Sequence, residues 1–237
     1  MADAHNTDQL ITLLRNAKSR NIPIFILGGG SNVVAKDEGY SGLIIRIRIP
    51  GFEIINDDEF TTTIKIGAGE SWDDSVKKIV DMNLTGIETL SAIPGTAGAA
   101  PVQNIGAYGQ EISETLLSLE AYDTQTEQVV TLTNEQCEFG YRHSIFRGSQ
   151  QGRYVILNIT LQLHKKPPQP PFYDALQNYL DTNHVTTYTA KIIRDAVIAI
   201  RADKLPDPSQ RPNAGSFFKN AVIEEWQVND LKQAYPG

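Results

Sequence analysis

The chain has 237 residues, of which 41% are apolar, so it can bury a substantial core as one large or two modest domains. A formal net charge of −7 argues against a general nucleic-acid-binding surface. No apolar run is long enough to span a bilayer, and the N-terminus MADAHNTDQL lacks the basic and apolar regions of a signal peptide.

In chain order, apolar periodicity predicts alternating helices and strands. Helical spacing predicts helices at 8–20 and 71–82, the second with Ser71 as N-cap and two aspartates in its first turn. Strands are predicted at 22–27, 42–47, 61–67, 116–124, 128–132 and 154–163, and the pair at 116–132 is predicted to form a hairpin.

A proline-rich segment, KKPPQPP at 165–171, interrupts this pattern, because proline cannot join a central ladder or a helix interior. We therefore predict a first domain at 1–164 and a second, partial domain at 165–237. Helices are predicted at 172–181 and 190–201. About 70 residues rarely form a stable core alone, so we expect the apolar stripe of the last helix to be partly uncovered. The tail is then expected to be less stable or to associate with another chain.

The most informative segment is SAIPGTAGAAPVQNIGAYG at 91–109, which is rich in glycine and alanine. Small side chains let backbone groups approach a bound molecule, and the polar Gln103, Asn104 and Tyr108 can orient a ring or a sugar. A flexible linker would normally carry serine and charge rather than the isoleucine, valine and proline found here. The composition therefore favours a binding loop.

A second glycine cluster, Gly28-Gly29-Gly30-Ser31-Asn32, follows the apolar strand predicted at 22–27. A strand followed by such a turn can expose consecutive N–H groups to a pyrophosphate. The cluster lacks the GxGxxG spacing and the following helix of a Rossmann fold, and it lacks the GK[ST] of a Walker loop. The two clusters together predict a dinucleotide held by a different fold.

Two further segments carry polar chemistry. In YRHSIFR at 141–147, Arg142 suits planar carboxylate recognition, although the heptapeptide taken alone favours a solvated surface turn. In RPNAGSFFKN at 211–220, Ser216 has no GxSxG elbow around it, which leaves a proton donor or a structural turn.

The cysteine and histidine content argues against a disulfide, a reactive thiolate and a metal site. The single cysteine, Cys137, rules out an intrachain disulfide and fits a reducing cytoplasm. Its apolar and acidic neighbours would not stabilise a thiolate, so a packed thiol is predicted. The four histidines lack ligand spacing, and no metal site is predicted.

Five motifs occur in one order: ILGGGSNVV, IPGTAGAAPVQNIGAYG, FGYRHSIFR, LPDP and NAGSFFKN. Together they resemble the UDP-N-acetylenolpyruvoylglucosamine reductase family, from about residue 7 to the end of the chain. The resemblance implies an α+β fold, with an FAD-binding domain of the vanillyl-alcohol-oxidase (PCMH) type followed by an incomplete α+β substrate-binding domain. It also implies NADPH as hydride donor, a UDP-sugar substrate, and a cytoplasmic role in peptidoglycan synthesis that serves cell-wall formation, cell shape and division.

The resemblance also implies roles for single residues. Arg142 matches the family's catalytic arginine and Ser216 its proton donor. Tyr173, Lys204 and Asn220 match positions that contact the substrate, Tyr173 by its spacing from Arg142 rather than by a motif. We expect the flavin to contact the two glycine clusters at Gly28, Gly29, Gly30, Ser31, Asn32, Pro94, Gly95, Gln103, Asn104, Gly106, Ala107, Tyr108 and Gly109.

The family pattern extends beyond this chain at both ends, and its C-terminal part supplies a catalytic glutamate that no residue here matches. The sequence therefore resembles a truncated member. Two alternatives stay open: a flavin- or nucleotide-sugar-binding fragment without catalysis, and another FAD oxidoreductase of the same fold superfamily.

Overall fold

The computed structural model of the chain describes residues 1–206, 210–216 and 218–235. The helices are α1 Thr7–Ser19, α2 Trp72–Asp81, α3 Asp174–Thr182, α4 Ala190–Lys204 and α5 Glu225–Ala234. The strands are β1 Ala2–Ala4, β2 Ile24–Leu27, β3 Leu43–Ile47, β4 Phe52–Asp57, β5 Thr61–Gly67, β6 Gly106–Ala107, β7 Gln110–Glu111, β8 Leu116–Asp123, β9 Gln128–Thr133 and β10 Tyr154–His164.

A small parallel sheet has the strand order β1-β3-β2. The helix α1 begins after Asn6, whose side chain accepts a hydrogen bond from the backbone N–H of Gln9 at 2.9 Å. Leu10 and Leu14 of α1 are buried in the same core as Ile45 of β3. The apolar face of α1 therefore covers this sheet, and the first glycine cluster follows directly after its strand β2.

The larger sheet is antiparallel, with the order β4-β5-β10-β8-β9. Its central strand β10 pairs with β5 on one side and β8 on the other, and Ile159 and Leu161 of β10 are fully buried. The helix α2 contributes Val76 and Ile79 to that core, and Ser71 caps it by accepting from the N–H of Asp74. A third, two-stranded sheet pairs β6 with β7, and sheets with separate helices confirm the predicted α+β class.

Each predicted helix and strand occurs, with ends within three residues of the prediction. The strands β1, β4, β6 and β7 and the helix α5 were not predicted. The three residues of β1, Ala-Asp-Ala, show no apolar alternation and become a strand by pairing with β3. In β4 most side chains are exposed, so its sequence carries no core-facing pattern.

The apolar stripe of α4 was expected to be partly uncovered, but only Ile198, at 36%, is exposed among its residues. Ile193, Val197 and Ile200 are buried together with Leu176 and Leu180 of α3. The chain therefore covers most of this stripe itself, and the expected association through it loses its basis. The domain boundary at residue 164 stays a prediction.

The C-terminal segment differs from the rest of the chain. Among its described residues, 210–216 and 218–235, none is buried, and Trp226 of α5 is 63% exposed. None of the helices in the described ranges is both long and apolar enough to cross a membrane.

Candidate active site

The two glycine clusters, here called the first glycine loop (28–32) and the second glycine loop (91–109), touch each other. The hydroxyl of Ser31 donates to the carbonyl oxygen of Pro94 at 3.2 Å. A Cβ atom added at Gly29 would lie 2.9 Å from Cα of Gly95, which is closer than real Cβ contacts. This backbone approach requires glycine at position 29 and joins segments more than sixty residues apart in sequence.

The first glycine loop presents free backbone donors. Across the described residues, no protein acceptor receives a hydrogen bond from the backbone N–H groups of residues 28–32. Gly30 has φ +77°, in the left-handed region that favours glycine. Consecutive free N–H groups after a strand form an anion-binding concavity, so this loop fits the pyrophosphate of a dinucleotide.

The N-terminal turn of α2 holds the second glycine loop in place. The indole N–H of Trp72 donates to the carbonyl of Leu90 at 3.0 Å, and its backbone N–H donates to the carbonyl of Gly95 at 3.1 Å. Ala97 donates its N–H to the carbonyl of Glu70 at 2.9 Å. The second loop is therefore built into the core, which agrees with a binding loop and excludes a flexible linker.

The segment 140–147 packs against the second glycine loop. The Ser144 hydroxyl donates to the carbonyl of Val102 at 2.6 Å, and the Asn104 amide donates to the carbonyl of Gly140 at 3.1 Å. Ser144 is fully buried. These contacts exclude the interpretation of this heptapeptide as a solvated surface turn.

Arg142 lies at the centre of that contact. Its guanidinium donates from Nη2 to the carbonyl of Gly106 at 2.6 Å and from Nη1 to that of Asn104 at 3.4 Å. Glu111 Oε1 is 3.9 Å from Nη1, and the guanidinium carbon is 5.2 Å from the Tyr141 ring centre. Its other three N–H groups have no hydrogen-bond acceptor among the described residues. Arg142 is thus held against the loop with donors to spare for an anion.

Asn104 makes its side-chain hydrogen bonds within the protein. Its side chain is fully buried, donating to Glu111 at 2.6 Å and accepting from the N–H of Ser113 at 3.1 Å. Its backbone has φ +46°, which Asn tolerates better than most residues. The side chain therefore stabilises the turn, and flavin contact at this position stays a prediction. Gln103 is half-buried and accepts from Arg147 at 3.3 Å.

Tyr108 and Tyr173 close the other end of the second glycine loop. Their ring centres are 6.1 Å apart in an edge-to-face arrangement. Tyr173 directly precedes α3 and is 56% exposed. A Cβ at Gly109 would lie 3.7 Å from that of Tyr173. The structure therefore brings Tyr173, predicted mainly from spacing, to the edge of the loop.

Arg201, in the last turn of α4, is a candidate site residue that was not predicted. Burial lowers the pKa of its guanidinium, whereas the nearby Tyr108 and Asp73 oppose this shift. Burial also raises the pKa of the Tyr108 phenol, and Arg201 offsets part of the rise. A desolvated cation beside the loop suits an anionic ligand. Arg201 lies three residues before Lys204 and four before the LPDP motif, and this proximity is the signal that could have identified it.

The remaining predicted residues lie apart from the loops. Lys204 is exposed at the end of α4, and Ser216 and Asn220 are exposed in the C-terminal segment. Asp207, Pro208 and Ser209, and also Phe217, all near these motifs, lie outside the described residues. The structure does not bring Ser216 to Arg142, so the roles of these three residues stay predictions.

Cys137 is fully buried, and burial raises the pKa of its thiol to about 12. A thiolate is therefore disfavoured, which confirms the packed thiol. Among the described residues, no group of three or more His, Cys, Asp or Glu is placed to hold a metal ion.

The family model described as an FAD binding domain matches residues 1–133, more than half of the chain. A UDP-N-acetylenolpyruvoylglucosamine reductase of Flavobacterium johnsoniae is 38% identical over 233 residues, which cover 98% of this chain and 68% of that protein. This chain belongs to the UDP-N-acetylenolpyruvoylglucosamine reductase family. The reductase of Amoebophilus asiaticus is 43% identical over 225 residues, 94% of this chain and 66% of that protein.

Solved structures agree on the fold of this reductase family member. A UDP-N-acetylenolpyruvylglucosamine reductase of Thermus caldophilus superposes with a TM-score of 0.67 at 20% identity, covering 98% of this chain and 72% of that one. A 6-hydroxy-D-nicotine oxidase of Arthrobacter nicotinovorans gives 0.52 at 20% identity over 70% of this chain and 36% of its own. The predicted FAD-binding fold and the FAD cofactor are confirmed. The chain spans 66% of the length of the reductases of Amoebophilus asiaticus and Ralstonia nicotianae.

Proposed function

We propose that this protein carries the flavin site and part of the substrate site for NADPH-dependent reduction of UDP-N-acetylglucosamine enolpyruvate to UDP-N-acetylmuramate, a cytoplasmic step of peptidoglycan synthesis. One observation carries the proposal: Arg142 is bound directly to a glycine loop that also contacts the first, dinucleotide-type loop. Curated relatives named for this reductase support the same substrate.

Two groups of residues suit the flavin. The free N–H groups of residues 28–32 suit its pyrophosphate, and the small residues of the second loop leave backbone groups accessible to its ring. When bound, FAD would accept a hydride from NADPH and, once reduced, would pass it to the enolpyruvyl double bond.

Arg142 stabilises the negative charge that develops toward the substrate carboxylate. Its contacts with the carbonyls of Gly106 and Asn104 fix the guanidinium plane before the substrate arrives. A preorganised donor of this kind typically contributes about 3–4 kcal/mol to transition-state stabilisation. The three remaining N–H groups suit bidentate contact with a carboxylate.

Ser216 protonates the substrate carbon next to the carboxylate. A hydroxyl is a weak acid and transfers a proton only at hydrogen-bond distance, so this role requires the exposed Ser216 to approach the loops in the substrate complex. Tyr173, Lys204 and Asn220 contact the nucleotide-sugar part.

The test is steady-state and rapid-reaction kinetics of the FAD-reconstituted protein. We expect NADPH oxidation that depends on the enolpyruvyl nucleotide. Arg142→Lys should keep the flavin and lower turnover, because an ammonium cannot reproduce a planar two-point contact. Ser216→Ala should leave flavin reduction by NADPH unchanged and slow reoxidation by substrate.

A third variant, Lys191→Met, removes only an exposed pair on α4 and serves as control. Flavin and nucleotide binding without any NADPH oxidation would identify a binding fragment instead. Oxygen consumption with an alcohol substrate would identify an oxidase. Equal slowing of both half-reactions by Ser216→Ala would make Ser216 structural.

A further inference from the structure

A partly buried ion pair links α4 to the start of α2. Arg194 donates from Nη1 to Asp73 Oδ1 at 2.6 Å and from Nη2 to Oδ2 at 2.9 Å. The Arg194 side chain is 9% exposed, whereas that of Asp73 is 34% exposed. The partners are 121 residues apart in sequence, so the pair is a tertiary contact between the two parts of the chain.

The same carboxylate reaches the second glycine loop. The backbone N–H of Ala92 donates to Asp73 Oδ1 at 2.5 Å. Ala92 has φ +56°, a conformation that costs a non-glycine residue free energy and persists only where its surroundings hold it. Burial alone would raise the pKa of Asp73, but the donors of Arg194 and Ala92 outweigh it and lower that pKa. The carboxylate is therefore charged when it holds Ala92.

Ala92 directly precedes the part of the loop that meets the first glycine loop. Two residues later, the Pro94 carbonyl accepts from Ser31, and Gly95 packs on Gly29. A shift at Ala92 therefore moves the backbone on which the two loops meet. Without Arg194, Asp73 would lose its two charged donors and would be free to turn toward solvent.

We infer that Asp73 and Arg194 are positioning residues that dock α4 onto the second glycine loop and hold Ala92, and through it the flavin-binding backbone, in place. The flavin part rests on the proposed function of that loop. Neither residue needs to touch the cofactor, and the pair gives the α3–α4 unit a direct effect on flavin affinity.

The experiment compares Arg194→Met with Lys191→Met. Both remove a cation from α4, but Lys191 belongs to an exposed pair with Asp195, four residues along the same helix. Segment-resolved hydrogen exchange of the apo protein reports on residues 92–98, and titration with FAD reports the dissociation constant. We expect Arg194→Met to raise both the exchange rate at 92–98 and the FAD Kd at least tenfold, and Lys191→Met to change each by less than twofold.

Faster exchange only in α3 and α4, with the 92–98 segment and the FAD Kd unchanged, would give Arg194 a purely structural role and overturn the inference. If Arg194→Met does not fold, Arg194→Lys takes its place, because it keeps one charged contact and should give an intermediate rise in both quantities. No FAD binding by the unaltered protein would count against the proposed function alone, because exchange in the apo protein still decides whether α4 holds the loop.

Discussion

Replacing Gly29 by alanine perturbs the contact between the two glycine loops at one atom. The added Cβ would lie 2.9 Å from Cα of Gly95 and 3.4 Å from its carbonyl carbon. Both are backbone atoms, which cannot swing aside as a side chain can. Moving the 2.9 Å contact out to 3.4 Å, the lower limit of ordinary van der Waals contact, requires the loops to separate by about 0.5 Å.

The second loop resists this separation because its Gly95 carbonyl already accepts from the N–H of Trp72 at 3.1 Å. Overpacking of this kind costs about 1–3 kcal/mol. If FAD binding needs the native loop spacing, the FAD Kd should rise about 5- to 150-fold. The assay is titration of the apo variant with FAD, followed by flavin fluorescence, alongside urea unfolding of the same preparation.

Gly152→Ala is the matched control. Gly152 has φ +80° and no atom within 4 Å of an added Cβ, so alanine there strains the backbone without touching a loop. It should lower stability by about 1 kcal/mol and leave the FAD Kd within twofold of the original. An unchanged Kd in folded Gly29→Ala, or an equal rise in Gly152→Ala, would show that the contact between Gly29 and Gly95 does not control FAD binding.

Three further predictions concern stability and reactivity. Arg153 holds the pKa of Asp123 well below its usual 3.8, so the pair stabilises the fold above about pH 4 and this stabilisation is lost as the pH falls further. In Asp123→Asn, the free energy of unfolding should fall less steeply as the pH drops below about 4. The same fall in the variant as in the original protein would contradict this. Cys137 should resist a thiol reagent at pH 8 until the protein is unfolded by denaturant; rapid stoichiometric labelling of the folded protein would disprove its burial. Leu180→Ala should lower the free energy of unfolding by about 2–4 kcal/mol, because Leu180 is fully buried. If residue 164 is a domain boundary, hydrogen exchange should become faster in 174–204 and stay unchanged in β10. Equal acceleration in both would indicate one cooperative unit.

Local pattern was sufficient for most secondary structure. The serine before α2 and the β-branched residues of β5 are short-range features, and the cap and the strand that they predict both appear. The alternating burial expected for β5 does not, because five of its seven residues are buried. The strands β1 and β4 have no such pattern and exist because neighbouring strands pair with them. The burial of the apolar stripe of α4 was also not predictable, because it depends on Leu176 and Leu180 of α3 packing against it.

The two glycine loops, the arginine-bearing turn and the family could be recognised in the unfolded chain, because small residues, glycine spacing and motif order are local or linear features. The folded structure adds that Arg142 binds the carbonyl of Gly106 and that Asp73 joins Arg194 to Ala92. It also gave the Asn104 side chain internal partners instead of an open surface. Such contacts depend on distances between segments far apart in sequence, and those distances are set by how the sheets and helices pack to bury their apolar faces.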